Sequence, residues 1–165
     1  CNSDWIYIKD TVEHFYAYER TQLKLSVVYL DGKGNYSSKK KQKEIDSLIS
    51  QYRATSKANQ SKVICCFDCD DYDSKQEDRK FLEDAEKFCK DKGYEFVWFC
   101  KDVEQVYIGK RVAAMQKRKE AAKFAEKKQI NTVAPENLTA VKYRVNRSNI
   151  MKVLDSCPEL IRKNS

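Results

Sequence analysis

Glycine and proline are scarce, with four and two residues in a chain of 165. This argues against long flexible linkers and predicts elements that follow one another closely. Histidine occurs once, at His14, so no histidine cluster can complete a zinc site. No apolar run approaches the roughly 20 residues of a membrane-spanning helix, and no membrane association is expected. What is present suits one globular domain: 41% hydrophobic and 12% aromatic residues are enough to fill a single core.

The seven cysteines, Cys1, Cys65, Cys66, Cys69, Cys89, Cys100 and Cys157, have no regular spacing and are odd in number, which does not describe a disulfide framework. Most lie in apolar segments, as small buried hydrophobes do, and a reducing cytoplasm is the expected setting. Cys66 and Cys69 form a C-x-x-C, a spacing shared by redox pairs and half zinc sites, but no second pair completes a zinc set. The chain opens on "CNSD" without an initiator Met, and is expected to be an internal fragment, a processed product or a trimmed chain.

Hydrophobic periodicity alternates between helix and strand. Asn2, Ser3 or Asp4 is placed to cap a helix carrying Trp5, Ile8, Val12 and Phe15 on one face. "LKLSVVYL" (23–30) reads as a strand, and Ile45, Leu48, Ile49 and Tyr52 as the stripe of the next helix. "KVICCFD" and "YEFVWFC" are continuous apolar strands, the pattern of a parallel sheet covered on both faces. Ser74 and Glu77 have capping-box spacing before a helix stopped by Gly93. The pattern predicts an α/β fold with a mostly parallel sheet flanked by helices. A long helix over 110–128, a break at Pro135 and a short helix over 148–157 would follow. We divide the chain into an α/β domain, 1–109, and a basic helical extension, 110–165, packed on the same domain.

Charge is unevenly placed. Residues 101–165 hold 15 Lys and Arg against 7 Asp and Glu, a net of +8, leaving 17 against 18, a net of −1, in residues 1–100. Such a concentration raises the odds of a phosphate-backbone partner, DNA or RNA. Lys110, Arg111, Lys117, Arg118 and Lys119 are the candidate contacts. A solvated helix face is the competing explanation, and Tyr107, Phe124 and Tyr143 are candidates either for base stacking or for the core.

The apolar strand "VICCF" ends in Asp68, Asp70, Asp71 and Asp73. Ligands of open α/β sheets gather at the carboxyl ends of strands, and crowded carboxylates are most simply neutralised by a hard divalent cation, Mg²⁺ or Mn²⁺. Asp68 and Asp70, two apart on a strand, should point the same way. Helix capping accounts for Asp73 and Ser74 but less well for Asp68 and Asp70. Gly32, Lys33 and Gly34 lie between a strand and a helix, as a phosphate loop would, although Walker spacing is absent and a simple turn competes.

With "SDWIYIKDTVEHFY", "VICCFDCDD" and "FVWFCKDVEQVYIG" in that order, the chain resembles a TOPRIM domain, the metal-dependent phosphoryl-transfer module of topoisomerases, primases and certain nucleases. It is most similar to the RloB-like proteins of bacterial defence loci. The resemblance covers about residues 1–110. It implies a metal-binding pair at Asp68 and Asp70, with Asp71 or Glu104 as an outer or second-metal ligand and Asp68, Asp70 and Glu104 as the catalytic set. It also implies a strand ending in Glu ahead of Asn2, for which Glu13 and Glu19 are poorly placed; without that Glu, metal binding is expected to outlast catalysis. The expected function is Mg²⁺-dependent nuclease-like hydrolysis or transfer of phosphodiesters. The alternatives are a catalytically incomplete nucleic-acid- or protein-binding module of the same fold, and a metal-dependent phosphatase or receiver-like domain.

Overall fold

The computed structural model describes residues 3–163. The first helix, α1 (Asp4–Phe15), runs into a two-residue strand, β1 (Tyr16–Ala17); an irregular stretch and a 3₁₀ turn lead to α2 (Lys39–Thr55). Strand β2 (Ile64–Asp68), helix α3 (Gln76–Lys92) and strand β3 (Glu95–Cys100) form the centre, followed by the short helices α4 (Val103–Ile108) and α5 (Lys117–Glu126). Strand β4 (Arg147–Ser148), helix α6 (Ile150–Asp155) and strand β5 (Ile161–Arg162) complete the order.

The fold is α/β, but the sheet is small and mixed rather than mostly parallel. Strands β2 and β3 pair in parallel from Ile64 opposite Glu95 to Asp68 opposite Phe99. Strand β4 adds antiparallel to β3 through Phe99 opposite Ser148 and Cys100 opposite Arg147. Beyond β4 the side chain of Asn149 stands in for backbone: its Oδ1 accepts the Trp98 N–H at 2.9 Å and its Nδ2 donates to the Phe96 carbonyl at 2.9 Å. A separate pair, β1 with β5, is antiparallel.

The continuous apolar strands behave as their composition dictates, with alternate residues entering two cores. Val97 and Phe99 join Ile64 and Cys66 on one face, against α1, α4, α5 and α6. Trp98 and Cys100 join Phe67 and Cys69 on the other, against Leu82, Ala85 and Cys89 of α3. Gly93 ends α3 in a left-handed conformation (φ 73°), as expected of a helix stop.

Other expectations are corrected. Residues 23–30 form no strand. Leu23 packs on the first core and Leu30 on the second, but Leu25 and Val27 are exposed and the stretch has no ladder partner among the described residues; β-propensity needs a neighbouring edge to act on. The capping box is not formed: α3 begins at Gln76 after Lys75, with no side-chain cap. Ser3 precedes α1 without a side-chain cap hydrogen bond, and Asn2 lies outside the described residues. The long helix over 110–128 is broken. Gly109 closes α4 in a left-handed conformation, Val112 is buried, and a 3₁₀ turn at Ala114–Gln116 precedes α5. The final helix is confined to Ile150–Asp155.

The C-terminal residues share the first core. Phe124 of α5 and Tyr107 of α4 are buried there with Tyr7 of α1. Tyr7 stacks on Tyr107 at 5.3 Å between ring centroids and meets Phe124 at 4.9 Å. The Thr11 and Tyr107 hydroxyls are 2.6 Å apart. Tyr143 packs edge-on to Trp98 at 4.9 Å. These aromatics therefore serve as packing, and the Tyr7, Tyr107 and Phe124 cluster fixes three helices relative to one another.

Candidate functional site

The aromatic cluster brings together residues far apart in sequence. Asp4 opens α1, Asp68 ends β2, Asp102 and Glu104 lie at the start of α4, and Lys117 opens α5. Asp68 Oδ1 accepts the Val103 N–H at 3.1 Å, tying the end of β2 to α4. Asp102 caps α4 by accepting the Gln105 N–H at 2.9 Å.

Glu104 is fully buried. Lys117 Nζ stands 3.6 Å from its Oε2, yet among the described residues neither carboxylate oxygen has a hydrogen-bond partner, and neither does the buried Tyr7 hydroxyl. Buried oxygens of this kind are costly unless something satisfies them. Burial, then the charges of Asp4, Asp102, Glu104 and Asp70, push the Asp68 acid well above the usual carboxylate range. Burial likewise raises Glu104, with Lys117 partly offsetting it, and raises Asp4. Burial alone would lower the Lys117 ammonium, but Glu104, Asp102, Asp68 and Asp4 together hold it above its ordinary value. Lys117 is thus electrostatically coupled to Glu104, Asp102, Asp68 and Asp4, and the chain's N-terminal ammonium also acts on Asp4.

The remaining acidic residues have different neighbours. Asp70 adopts a left-handed backbone (φ 50°), which turns the chain off the strand line, and its carboxylate meets Lys33 Nζ at 2.7 Å. Asp68 and Asp70 thus have different polar partners, although the Asp70 charge still acts on Asp68. Lys33 also reaches Asp78 at 3.6 Å and lies over the Phe81 ring. Asp71 pairs with Lys75 at 3.3 Å and Lys101 at 3.6 Å, and Asp73 with Lys101 at 3.2 Å. Lys75 beside it holds the Asp71 acid below the usual range.

An open cleft of about 420 Å³ lies over this outer group, lined by Asp70, Asp71, Lys75, Lys101, Asp102 and Arg111 among others. Of the basic residues singled out in the sequence, Arg111 reaches the cleft and Lys117 the buried carboxylates. Lys110, Arg118 and Lys119 are exposed nearby in sequence. Gly32 takes φ 123° and leads into the 3₁₀ turn at Lys33–Ser37. Asn35 Nδ2 ties that turn to the Leu30 and Asp31 carbonyls, and its Lys33 is engaged by Asp70.

The inner carboxylates offer only hard oxygen donors, which suit Mg²⁺ or Mn²⁺ rather than a soft metal. Among the described residues, no group of three or more His, Cys, Asp or Glu is disposed to hold an ion. Sequence reasoning found Asp68, Glu104 and Lys117 but gave Asp4 only a capping role and missed Asp102. The one available signal was the position of Asp102 two residues past the end of an apolar strand.

Comparison with family models, with curated proteins and with solved structures finds no match to this chain.

Proposed function

We propose that this chain is a metal-dependent phosphodiester-processing protein of TOPRIM type acting on nucleic acid. The observation that carries the reading is the buried Glu104 carboxylate, unsatisfied among the described residues and electrostatically coupled to Asp68, past the carboxyl ends of β2 and β3. Asp68 and Glu104 would hold the ion, with Asp4 and Asp102 adding negative charge around it. A bound Mg²⁺ or Mn²⁺ supplies charge neutralisation at a phosphate oxygen. Asp68 is oriented by the Val103 N–H, which engages one of its oxygens. Arg111, exposed at the cleft rim, positions a phosphate as a planar donor. Asp70 and Asp71 exchange their lysine partners for the ligand, and Lys33 and Lys101 then become phosphate contacts.

A second reading, a binding module of the same fold without catalysis, is favoured by one observation: lysines already neutralise Asp70 and Asp71. Calorimetric titration of Mg²⁺ and Mn²⁺ into wild type, Asp68→Asn and Glu104→Gln proteins tests the metal site, and both variants are expected to lose at least tenfold in affinity. Incubation with single- and double-stranded DNA and RNA in Mn²⁺ separates the readings. Cleavage that depends on Asp68 supports the enzyme, and metal-dependent binding without cleavage supports the module. Unchanged metal affinity in both variants would overturn the site.

A further inference from the structure

The C-x-x-C spacing singled out in the sequence does not make a pair. Cys66 and Cys69 are three apart on an extended chain and enter opposite cores, Cys66 the first and Cys69 the second. The partner of Cys69 is Cys100, with the two sulfur atoms 2.9 Å apart. The parallel ladder explains this proximity. Asp68 lies opposite Phe99, and the ladder continues through the Cys69 N–H to the Phe99 carbonyl at 2.9 Å and the Asp70 N–H to the Lys101 carbonyl at 2.8 Å. Cys69 and Cys100 are thus neighbours in register. Adjacent strands lie roughly 4.7–4.9 Å apart, inside the Cα separation of roughly 4.4–6.8 Å that a disulfide accepts. The sulfur atoms stand about 0.9 Å beyond bonding distance.

We propose that Cys69 and Cys100 are an oxidative modification site that takes a peroxide as its co-reactant. One thiol attacks a peroxide oxygen, the O–O bond breaks, the thiol proton joins the departing hydroxide as water, and a sulfenic acid forms. The second thiol then attacks that sulfur, the S–O bond breaks and water leaves with the second proton. Two thiols and one hydrogen peroxide give one disulfide and two waters. Both thiols are buried, in the core on which the partly buried Tyr72 and Tyr143 pack, their rings 5.5 Å apart. A small oxidant is therefore favoured over a bulky one. The crosslink would tie the end of β2 to the end of β3, at the residue between Asp68 and Asp70 and at the residue just ahead of Lys101 and Asp102. The chemistry needs no bound metal, so it stands or falls separately from the proposed function.

The test is treatment of the reduced, full chain with hydrogen peroxide in chelator-containing buffer, followed by non-reducing proteolysis and mass spectrometry. The expected result is a linked pair of peptides carrying Cys69 and Cys100, two hydrogens lighter than the free pair and restored by dithiothreitol. Tyr72→Ala should speed its formation several-fold. Cys69→Ser and Cys100→Ser should each abolish it and leave a sulfenic acid on the remaining cysteine, detectable with dimedone. Peroxide oxidation of Cys65, Cys66 or Cys89 with Cys69 and Cys100 remaining free would overturn the proposal, as would a Cys65–Cys89 link in its place. Because the peptide map is read on wild type, the proposal remains testable even where a serine variant fails to fold.

Discussion

The buried Glu104 carboxylate lies 3.6 Å from Lys117 Nζ, and among the described residues no hydrogen bond reaches either of its oxygens. A carboxylate in that position depends on one cation for its charge. Lys117→Met should therefore destabilise the metal-free protein at neutral pH, by less than the roughly 3–5 kcal/mol known for fully buried pairs, because the Lys117 side chain is 28% exposed. Adding Glu104→Gln should recover part of the loss. Urea unfolding of the single and double variants measures this; a double variant no more stable than the single would mean that the pair does not matter to folding.

The inner carboxylates also set a pH dependence. Asp68, Glu104 and Asp4 all have their acids raised in the folded state, so the folded chain holds protons that the unfolded chain has released above about pH 4. Their contribution is fully present below that pH and is lost as pH rises through the higher folded values. Metal-free stability should consequently fall with rising pH across that window, and Asp68→Asn should flatten the slope. Lowered carboxylates such as Asp71 act in the opposite sense, so the difference between wild type and variant, followed by urea midpoints, is the quantity to compare.

Lys33 is an internal competitor for any ligand of Asp70. Its bond to Asp70 is short, but both side chains are substantially exposed, at 46% and 40%. Lys33→Met should thus change stability by no more than about 1 kcal/mol. If Asp70 engages metal, the same change should tighten Mn²⁺ binding at low salt, as seen by calorimetry. Weaker phosphate or oligonucleotide binding in that variant would mark Lys33 as a ligand contact as well.

For the basic surface, the informative substitutions are Arg111, Arg118 and Lys119, all exposed. Lys117 is a poor choice because its loss disturbs Glu104. If the surface follows a duplex backbone, neutralising the three should weaken binding across unrelated sequences. The salt slope should fall by about 0.9 for each lost phosphate contact. Fluorescence anisotropy at several salt concentrations reads both effects. Identical slopes for wild type and variant would leave these residues as solvated surface charge.

Local pattern in the sequence was enough to place β2 and β3, because a run of consecutive apolar residues can be satisfied only where both strand faces are covered. Gly93 was equally legible, since a left-handed helix end favours a residue without a side chain. Asp68 stood out because it closes an apolar strand, whereas Glu104 was singled out only by the resemblance to TOPRIM domains. Residues 23–30 have the pattern of a strand, yet a strand exists only where another edge pairs with it, and among the described residues none does. Likewise, the sequence named the Asp68, Asp70 and Asp71 cluster but could not divide it. A left-handed turn at Asp70 and the reach of Lys33, Lys75 and Lys101 separate the outer carboxylates from the inner ones. The joining of Asp4, Asp68, Asp102, Glu104 and Lys117, and the meeting of Cys69 with Cys100 rather than Cys66, were decided by helix packing and strand register. Both bring together residues tens of positions apart, which no pattern confined to neighbouring residues can encode.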